Sequence, residues 1–350
     1  MKKILCMCLA FIFLLTAFSG CSIIQFGNES HNNTHKDTES EFDTQLQTLC
    51  DESNSEPENE LQESPAEDFE YVILEDGTVS ITKYIGGKYD VILPSSIDNK
   101  AITDIGPNSF SYTDIRTISL PNSIITIQHN AFNKCENLYQ VNLSQNLILI
   151  GDYAFSECTM LSEITLPESL TSLGSYCFYK CSSLKHITIP SNAINEKNGR
   201  VFLDSGLETI ILSEGIKVIP ADFFSNTNVK EIVLPSTIEE IGSGVFKNCK
   251  SLNKIELNKG LVKIGVNSFA YTNIKEIIIP NTVEQVYETS FYNCISLEKV
   301  KFEGNAPTNY IYVYFDPYPG AGDAKYTIYY HQDAEGFTTP EWNGYPTEIW

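Results

Sequence analysis

The side chains best able to do chemistry in this 350-residue chain are ten cysteines and five histidines. Thiols and imidazoles together bind zinc, and a thiol beside a histidine can act as a nucleophile. No histidine stands at a zinc-like spacing from a cysteine, so we predict no metal site and no cofactor. The histidines are His31, His35, His129, His186 and His331.

Motifs of the common catalytic centres are also missing from the sequence. No serine stands in a nucleophile elbow, and Gly86-Gly87-Lys88 fits a hairpin turn better than a phosphate loop. Glu239 and Glu240 are adjacent, whereas a glycoside hydrolase holds its two carboxylates across a cleft. We therefore predict a protein that is not an enzyme.

Half of the cysteines occupy one equivalent position, three residues after a phenylalanine. In the other repeats Thr or Ser fills that position, and the core strand residue then follows the phenylalanine by ten residues instead of eleven. This coupling indicates a packing site. Secreted proteins often pair their cysteines, but stacked side chains would run parallel, so we favour buried free thiols over disulfides. The five are Cys135, Cys158, Cys181, Cys249 and Cys294.

A phenylalanine recurs every 22 to 24 residues through most of the chain. This period is typical of a solenoid in the leucine-rich-repeat range, in which each coil buries its apolar face against its neighbours. We predict a β-rich solenoid of about nine to ten coils of 22–23 residues, with N- and C-terminal caps. The anchoring residues are Phe110, Phe132, Phe155, Phe178, Phe202, Phe224, Phe246, Phe269 and Phe291.

Each repeat carries a short strand. After Phe155, Ile164 and Leu166 are two residues apart, so they point to one side of a strand, toward the core. Pro167 ends that strand because it has no N–H to donate. Gly174 suits a turn that needs positive φ. The stretch around each phenylalanine is predicted to be a short helical or 3₁₀ turn.

Flanking segments complete the pattern: Ile81–Tyr84, Val91–Pro94, Ile102–Gly106, Tyr329–Tyr330, Gly336–Pro340 and Trp342–Tyr345. With the repeats, they resemble the BspA-type leucine-rich repeats of bacterial and protist surface proteins. The resemblance covers about residues 70–350. It implies a leucine-rich-repeat fold and a protein similar to adhesins that bind host matrix proteins or other microbes. Residues 191–201 depart from the repeat; we favour decay of one coil over a protruding polar loop.

The first 21 residues predict export and lipid anchoring. Lys2 and Lys3 precede an apolar stretch, Ile4–Phe18, which is short for a membrane span and typical of a secretory signal. The Ser-Gly-Cys that ends at Cys21 resembles the lipobox of bacterial lipoproteins, whose cysteine carries the lipid; an ordinary signal peptide is the alternative. We predict lipidation at Cys21 and a location on the extracellular face of the cell envelope.

Acidic residues dominate the segment that follows. Between residues 27 and 70, fourteen carboxylates stand against one lysine, a composition typical of disorder. We interpret the segment as a spacer; an acidic ligand-binding tail is the alternative. The net charge of −22 argues against nucleic acid, and it leaves the lipid on Cys21 as the predicted contact with a membrane.

Four parts are thus predicted: a lipoprotein signal peptide at 1–20, a disordered acidic tether at 21–69, the solenoid with its N-terminal opening unit at 70–305, and a C-terminal cap at 306–350. The last part is rich in aromatic residues. Aromatic platforms bind sugars, but Tyr and Trp also cover a terminal coil while keeping a polar tip in water, so we favour a cap. The residues are Tyr310, Tyr312, Tyr314, Phe315, Tyr318, Tyr329, Tyr330, Trp342 and Trp350.

Strand residues that alternate with the core must face outward. In the second half of the solenoid, some of these positions are apolar and stand among charges, a combination that suggests an interaction surface. Strand propensity alone is the alternative explanation. The candidate ligand face consists of Ile211, Val233, Ile278, Glu231, Lys254, Glu276 and Lys299.

Two functions remain open. The first is a non-catalytic surface binding protein or adhesin, expected as a monomer, that recognises a protein or glycan on host or neighbouring cells. The alternative is a structural or scaffold protein of the envelope whose partner belongs to the same cell.

Overall fold

The computed structural model describes residues 62–194, 197–287, 289–307 and 326–350. All of them belong to one unit, Glu60–Trp350. The predicted signal peptide, Cys21 and most of the acidic tether lie outside the described residues, so those expectations stay predictions.

Short strands make up nearly all of the regular structure. A single 3₁₀ turn, Ala66–Asp68, precedes them in the described part of the chain. The strands are β1 Phe69–Ile73, β2 Val79–Tyr84, β3 Asp90–Ile92, β4 Ser96–Ile97, β5 Lys100–Ile105, β6 Thr117–Ser119, β7 Thr126–Ile127, β8 Gln140–Asn142, β9 Leu149–Ile150, β10 Glu163–Ile164, β11 Ser172–Leu173, β12 His186–Ile189, β13 Thr209–Leu212, β14 Val218–Ile219, β15 Glu231–Val233, β16 Glu240–Ile241, β17 Lys263–Ile264, β18 Glu276–Ile279, β19 Gln285–Val286, β20 Lys299–Phe302, β21 Thr327–Tyr330, β22 Glu341–Trp342 and β23 Tyr345–Ile349.

The strands stack into two parallel rows, because most coils contribute one strand to each row. The row that we call the face sheet runs β3-β6-β8-β10, then β12-β13-β15, then β18-β20-β21-β23. The row that we call the back sheet runs β2-β5-β7-β9-β11, then β14-β16-β17-β19. Antiparallel strands occur at the two ends, where β1 pairs with β2 and β22 pairs with β23. The β-rich solenoid predicted from the sequence period is confirmed, with about eleven turns in the described residues.

The anchoring phenylalanines form one continuous stack through the interior. Successive ring centroids lie 5.0–5.9 Å apart with nearly parallel planes. All nine side chains are at most 1 % exposed. At the N-terminal end, Tyr84 stacks on Phe110 at 5.3 Å, so the opening unit continues the stack with a ring that can keep a polar tip in water.

The turns that carry these phenylalanines are not helical, so that part of the prediction is wrong. Residues two before and two after each phenylalanine have left-handed φ, as at Asn108 (57°) and Tyr112 (61°) around Phe110. Backbone N–H groups consequently alternate in direction. Thr113 N–H donates within its own turn to the Phe110 carbonyl (3.1 Å), whereas Phe110 N–H donates to the Ala131 carbonyl of the next coil (2.8 Å). We call these segments the Phe turns.

Gly174 also differs from its prediction, because it is not among the residues with positive φ. A Cβ at this position would lie 2.3 Å from the Asp152 nitrogen and 2.3 Å from the Gly151 carbonyl carbon. Glycine is needed here because the backbones of neighbouring coils approach too closely for a side chain. Positive φ in the turns falls mostly on Asn, Tyr and charged residues, as at Tyr153 and Tyr176.

The repeated cysteines are buried and free, as predicted, and so is Cys177. Each repeated thiol donates to the carbonyl of the phenylalanine in the preceding coil, as Cys158 does to Phe132 at 3.1 Å. In repeats with threonine, the hydroxyl donates to the backbone carbonyl of the phenylalanine in its own coil, as Thr227 does to the Phe224 carbonyl at 2.8 Å. The position is therefore a hydrogen-bonded packing site, which explains why these residue types replace one another.

Both ends of the described chain pack against the terminal coils. Residues 62–69, which the sequence assigned to the tether, are ordered: Ser64 N–H donates to the Ile92 carbonyl at 2.8 Å, and Phe69 is buried. At the other end, Trp342 packs against Phe302 and Phe337. This packing is that of a cap. Tyr310, Tyr312, Tyr314, Phe315 and Tyr318 lie outside the described residues.

We expect Phe178→Ala to lower the free energy of unfolding of the full chain by about 3–5 kcal/mol, since it opens a cavity in the middle of the stack. The exposed-tyrosine variant Tyr112→Ala is the control, with a change of about 0.5 kcal/mol or less. Urea denaturation followed by circular dichroism measures both. Equal effects of the two substitutions would contradict a stabilising stack.

Burial should also protect the thiols. It raises the pKa of Cys135 and of Cys249 from 9.0 to about 11. We expect both to escape iodoacetamide at pH 8 in the native protein and to react after unfolding, as site-resolved mass spectrometry would report. Because the native state raises the pKa of these thiols above that of the unfolded thiol, their contribution to stability is complete below about pH 9 and is lost as the pH rises toward 11. Labelling of native Cys135 at pH 8 would contradict this burial.

Candidate ligand face and groove

The predicted face residues lie on the outer side of the face sheet. The residues Ile211, Val233 and Ile278 are 56 %, 79 % and 42 % exposed, while the neighbouring strand residues Ile210 and Ile277 are buried. The register aligns Ile211 with Val233 on adjacent strands. An apolar pair thus lies on the surface of two adjoining coils, and Ile278 stands apart, two coils beyond Val233.

The charged members of the face are also exposed, and several are paired. Lys254 Nζ lies 2.8 Å from a Glu256 carboxylate oxygen, and Lys301 Nζ lies 2.6 Å from one of Glu276. The hydrogen bond between Lys254 and Glu256 raises the pKa of the lysine and lowers that of the carboxyl. Lys299 is exposed on the strand beside Glu276, in register with it.

The face sheet is interrupted beside these residues. The segment 254–257 should pair with β18, but only an isolated bridge from Val233 to Glu256 joins it to a strand in the described part of the chain. Leu257 is only partly buried, whereas the same core position in other coils, such as Leu234 and Ile279, is buried. The coil has therefore opened toward β18 on this side.

A groove of about 500 Å³ occupies the opening. Ile255 and Leu257 of segment 254–257 line it on one side, and Ile278 of β18 and Pro280, which follows β18, line it on the other. Its charged lining consists of Lys254, Glu256, Lys259, Lys275, Glu276 and Glu303. Apolar side chains between charged ones give the groove the character of a peptide- or protein-binding surface. Sequence reasoning found Lys254, Glu276 and Ile278 but did not bring them together into a groove.

A change in sequence accompanies the interruption. In most coils the core strand ends in Leu-Pro or Ile-Pro, but Asn258 follows Leu257. The Asn258 side-chain amide donates to the carbonyls of Ser236 (3.1 Å) and Ile238 (2.8 Å) in the preceding coil. This coil is thus fastened to the one before it on the side away from the opening.

The described residues contain no cluster of three or more His, Cys, Asp or Glu side chains that could hold a metal ion. His331 instead stacks on Trp350, with ring centroids 4.7 Å apart. Within the same residues, no helix has the length and apolar character that a membrane crossing requires.

The irregular repeat lies between the coils that carry β11 and β14, and its residues 195 and 196 are outside the described residues. The coil is nevertheless packed: Val201 and Ala193 are buried, and the Asn198 amide donates to the Leu173 carbonyl at 3.2 Å. Arg200 pairs with Asp222 at 3.2 Å. These contacts favour a modified coil over a protruding loop.

The family model for the BspA type leucine rich repeat region matches this sequence in six copies, over residues 103–230 and 217–315. The chain therefore belongs to this family, as its motifs indicated. No curated protein matches it.

Solved structures agree with the fold. The chain is similar to a leucine-rich repeat protein from Bacteroides ovatus, with 24% identity and a TM-score of 0.59 over 69% of this chain and 71% of that one. It is also similar to a leucine rich cell surface protein from Faecalibacterium prausnitzii, with 22% identity and a TM-score of 0.54 over 69% of this chain and 70% of that one.

The register of the face makes a sharp prediction. We expect Ile211→Asp and Ile278→Asp to change the free energy of unfolding by about 0.5 kcal/mol or less, because both side chains face water. The adjacent substitutions Ile210→Asp and Ile277→Asp should destabilise the protein severely, because each buries an unpaired carboxylate. Urea denaturation compares each pair. Severe destabilisation by the two outward substitutions would refute the register.

Proposed function

We propose that this protein is a non-catalytic surface protein that binds a macromolecular partner with its face sheet. The observation that carries this proposal is the exposure of Ile211, Val233 and Ile278 on the outer side of the face sheet, whose inward-facing residues are buried. Exposed apolar side chains rimmed by charges are a common feature of protein interfaces. Membership of a family of leucine-rich repeat proteins supports the same function.

Adhesion is the form of binding that we favour, with a protein or glycan on host or neighbouring cells as the partner. A lipid on Cys21 would hold the protein at the extracellular face of the envelope, with the acidic tether as a spacer. The N-terminal signal supports this location, as does the surface location named for the related protein from F. prausnitzii. An envelope scaffold that binds a partner of the same cell remains the second candidate, since the face would serve either partner equally well.

Binding of the full chain, purified in detergent, to matrix proteins, glycans and whole cells of the parent strain tests the proposal. We expect saturable binding to a foreign protein or glycan in biolayer interferometry. The double variant Ile211→Asp/Ile278→Asp should weaken it about tenfold or more, since it removes two apolar contacts and introduces charge into the interface.

The matched control is the double variant Asn142→Asp/Thr165→Asp, which adds the same two charges at exposed positions on the other half of the face. Binding only to the parent cells would support the scaffold instead. Equal losses for the control and the Ile211→Asp/Ile278→Asp variant would place the contact elsewhere.

A further inference from the structure

The groove between segment 254–257 and β18 has a polarity that identifies its ligand chemistry. Leu257, in segment 254–257, and Ile278, in β18, both contribute apolar surface to its lining. Lys275 stands directly before β18, so it marks the end of the groove at which β18 begins. Glu303 lines the groove and directly follows β20, which places it at the other end.

Charge pairing leaves the β18-start end positive. Lys254 is paired with Glu256, and Glu276 is paired with Lys301. Lys275 forms no ion pair with the described residues, nor does Lys299 on the next strand. Glu298, which directly precedes β20 opposite Lys275, also has no ion pair with the described residues, so two ammonium groups and one carboxylate leave this end with one net positive charge, on a chain whose net charge is −22. An acidic group is the complement of that end.

The opening is too narrow on its inner side to admit a whole strand between the coils. The Phe246 and Phe269 rings remain stacked at 5.5 Å, and β16 and β17 remain paired on the back sheet. An inserted strand would need about 9–10 Å between the flanking strands. The groove is therefore a wedge that opens only at the face, where it has room for side chains.

We propose that the groove binds an extended acidic segment of a partner protein, which inserts one large apolar side chain between Leu257 and Ile278 and sets a carboxylate against Lys275 and Lys299. Three residues separate Lys275 from Ile278 along the strand, a distance of about 10 Å. The segment would therefore carry its acidic residue two or three positions from the apolar one. This inference rests on the proposed function, because it specifies partner chemistry for the same face.

Labelled peptides test the inference with the full chain. The probes are fluorescein-labelled twelve-residue peptides in a Ser/Gly/Thr background, each with Glu-Glu placed two or three residues before Leu, Phe or Tyr. Matched probes replace Glu-Glu by Lys-Lys or the apolar residue by Ala. We expect saturable anisotropy changes only for peptides that have both features, with affinity that falls as salt is added.

Variants then locate the site. Lys275→Glu should weaken peptide binding about tenfold, because it replaces attraction by repulsion. Lys250→Glu is the control: it makes the same charge change on an exposed lysine of the adjacent coil, outside the groove lining, and should change binding by about twofold or less. Ile278→Ser should weaken binding more than Ile295→Ser, which removes an equally apolar and more exposed side chain elsewhere.

The outcomes separate this inference from the proposed function. No saturable peptide binding, or equal losses for Lys275→Glu and Lys250→Glu, overturns the groove assignment even if the full chain binds cells or matrix proteins. Concentration-dependent dimers that are abolished by Ile278→Ser would identify a second copy as the occupant and would also overturn it. Peptide binding with the expected variant pattern supports the groove, even if no surface partner is captured.

Discussion

The alternation of backbone hydrogen bonds in the Phe turns is the constraint on which the rest of this solenoid depends. Around each phenylalanine, one N–H group donates to a carbonyl of the following coil and the next donates within its own coil, as Phe110 and Ser111 do. Left-handed φ at Asn108 and Tyr112 makes this alternation possible. A helix would direct all of its N–H groups back along its own axis and leave none for the neighbouring coil. The Phe turns therefore form a third hydrogen-bonded wall beside the two sheets.

This wall sets the spacing of everything stacked upon it. Successive ring centroids are 5.0–5.9 Å apart, and neighbouring strands in a sheet are about 4.8 Å apart. Both spacings can occur in the same solenoid only if every coil advances by about the same distance along its axis. Close approach of the coils then excludes a side chain at Gly174 and leaves room for a small hydrogen-bonding group beside each phenylalanine. The face sheet can open at segment 254–257 because the stack and the back sheet hold the coil on the other two walls. A groove held in this way is preorganised, which lowers the entropic cost of binding.

Much of this architecture could be predicted from the sequence, because a repeat makes every local pattern visible several times over. Phe155, Cys158 and Ile164 each have counterparts in other coils, so their burial could be deduced from spacing and residue type alone. The geometry of the Phe turns was missed because the residue types at the left-handed positions vary: Asn and Asp, which favour this φ, stand at some of them, but Tyr and Lys, which do not, stand at others. The groove was missed because Leu257 fits the core pattern, and the loss of proline at Asn258 is not specific to this coil, since Ser144 and Ser213 stand at the same position in coils whose strands pair. Whether neighbouring strands pair depends on the relative position of two coils, which hydrophobic periodicity does not encode.

The fold and the face answer different questions about function. Nearly every feature that recurs from coil to coil in this chain contributes to packing of the interior. A packed interior of this kind is compatible with many ligands. The exterior is less uniform. Its first coils present Ser119, Asn142 and Thr165, which are small and polar, whereas later coils present Ile211, Val233 and Ile278. A solenoid that served only as a spacer would gain nothing from apolar side chains in water, since they add to the risk of nonspecific association. Exposed apolar side chains also occur elsewhere, as at Ile148 and Met160, but on the outer side of the paired face strands β6 to β20 they lie in the later coils, which favours recognition at that part of the face over a purely mechanical role.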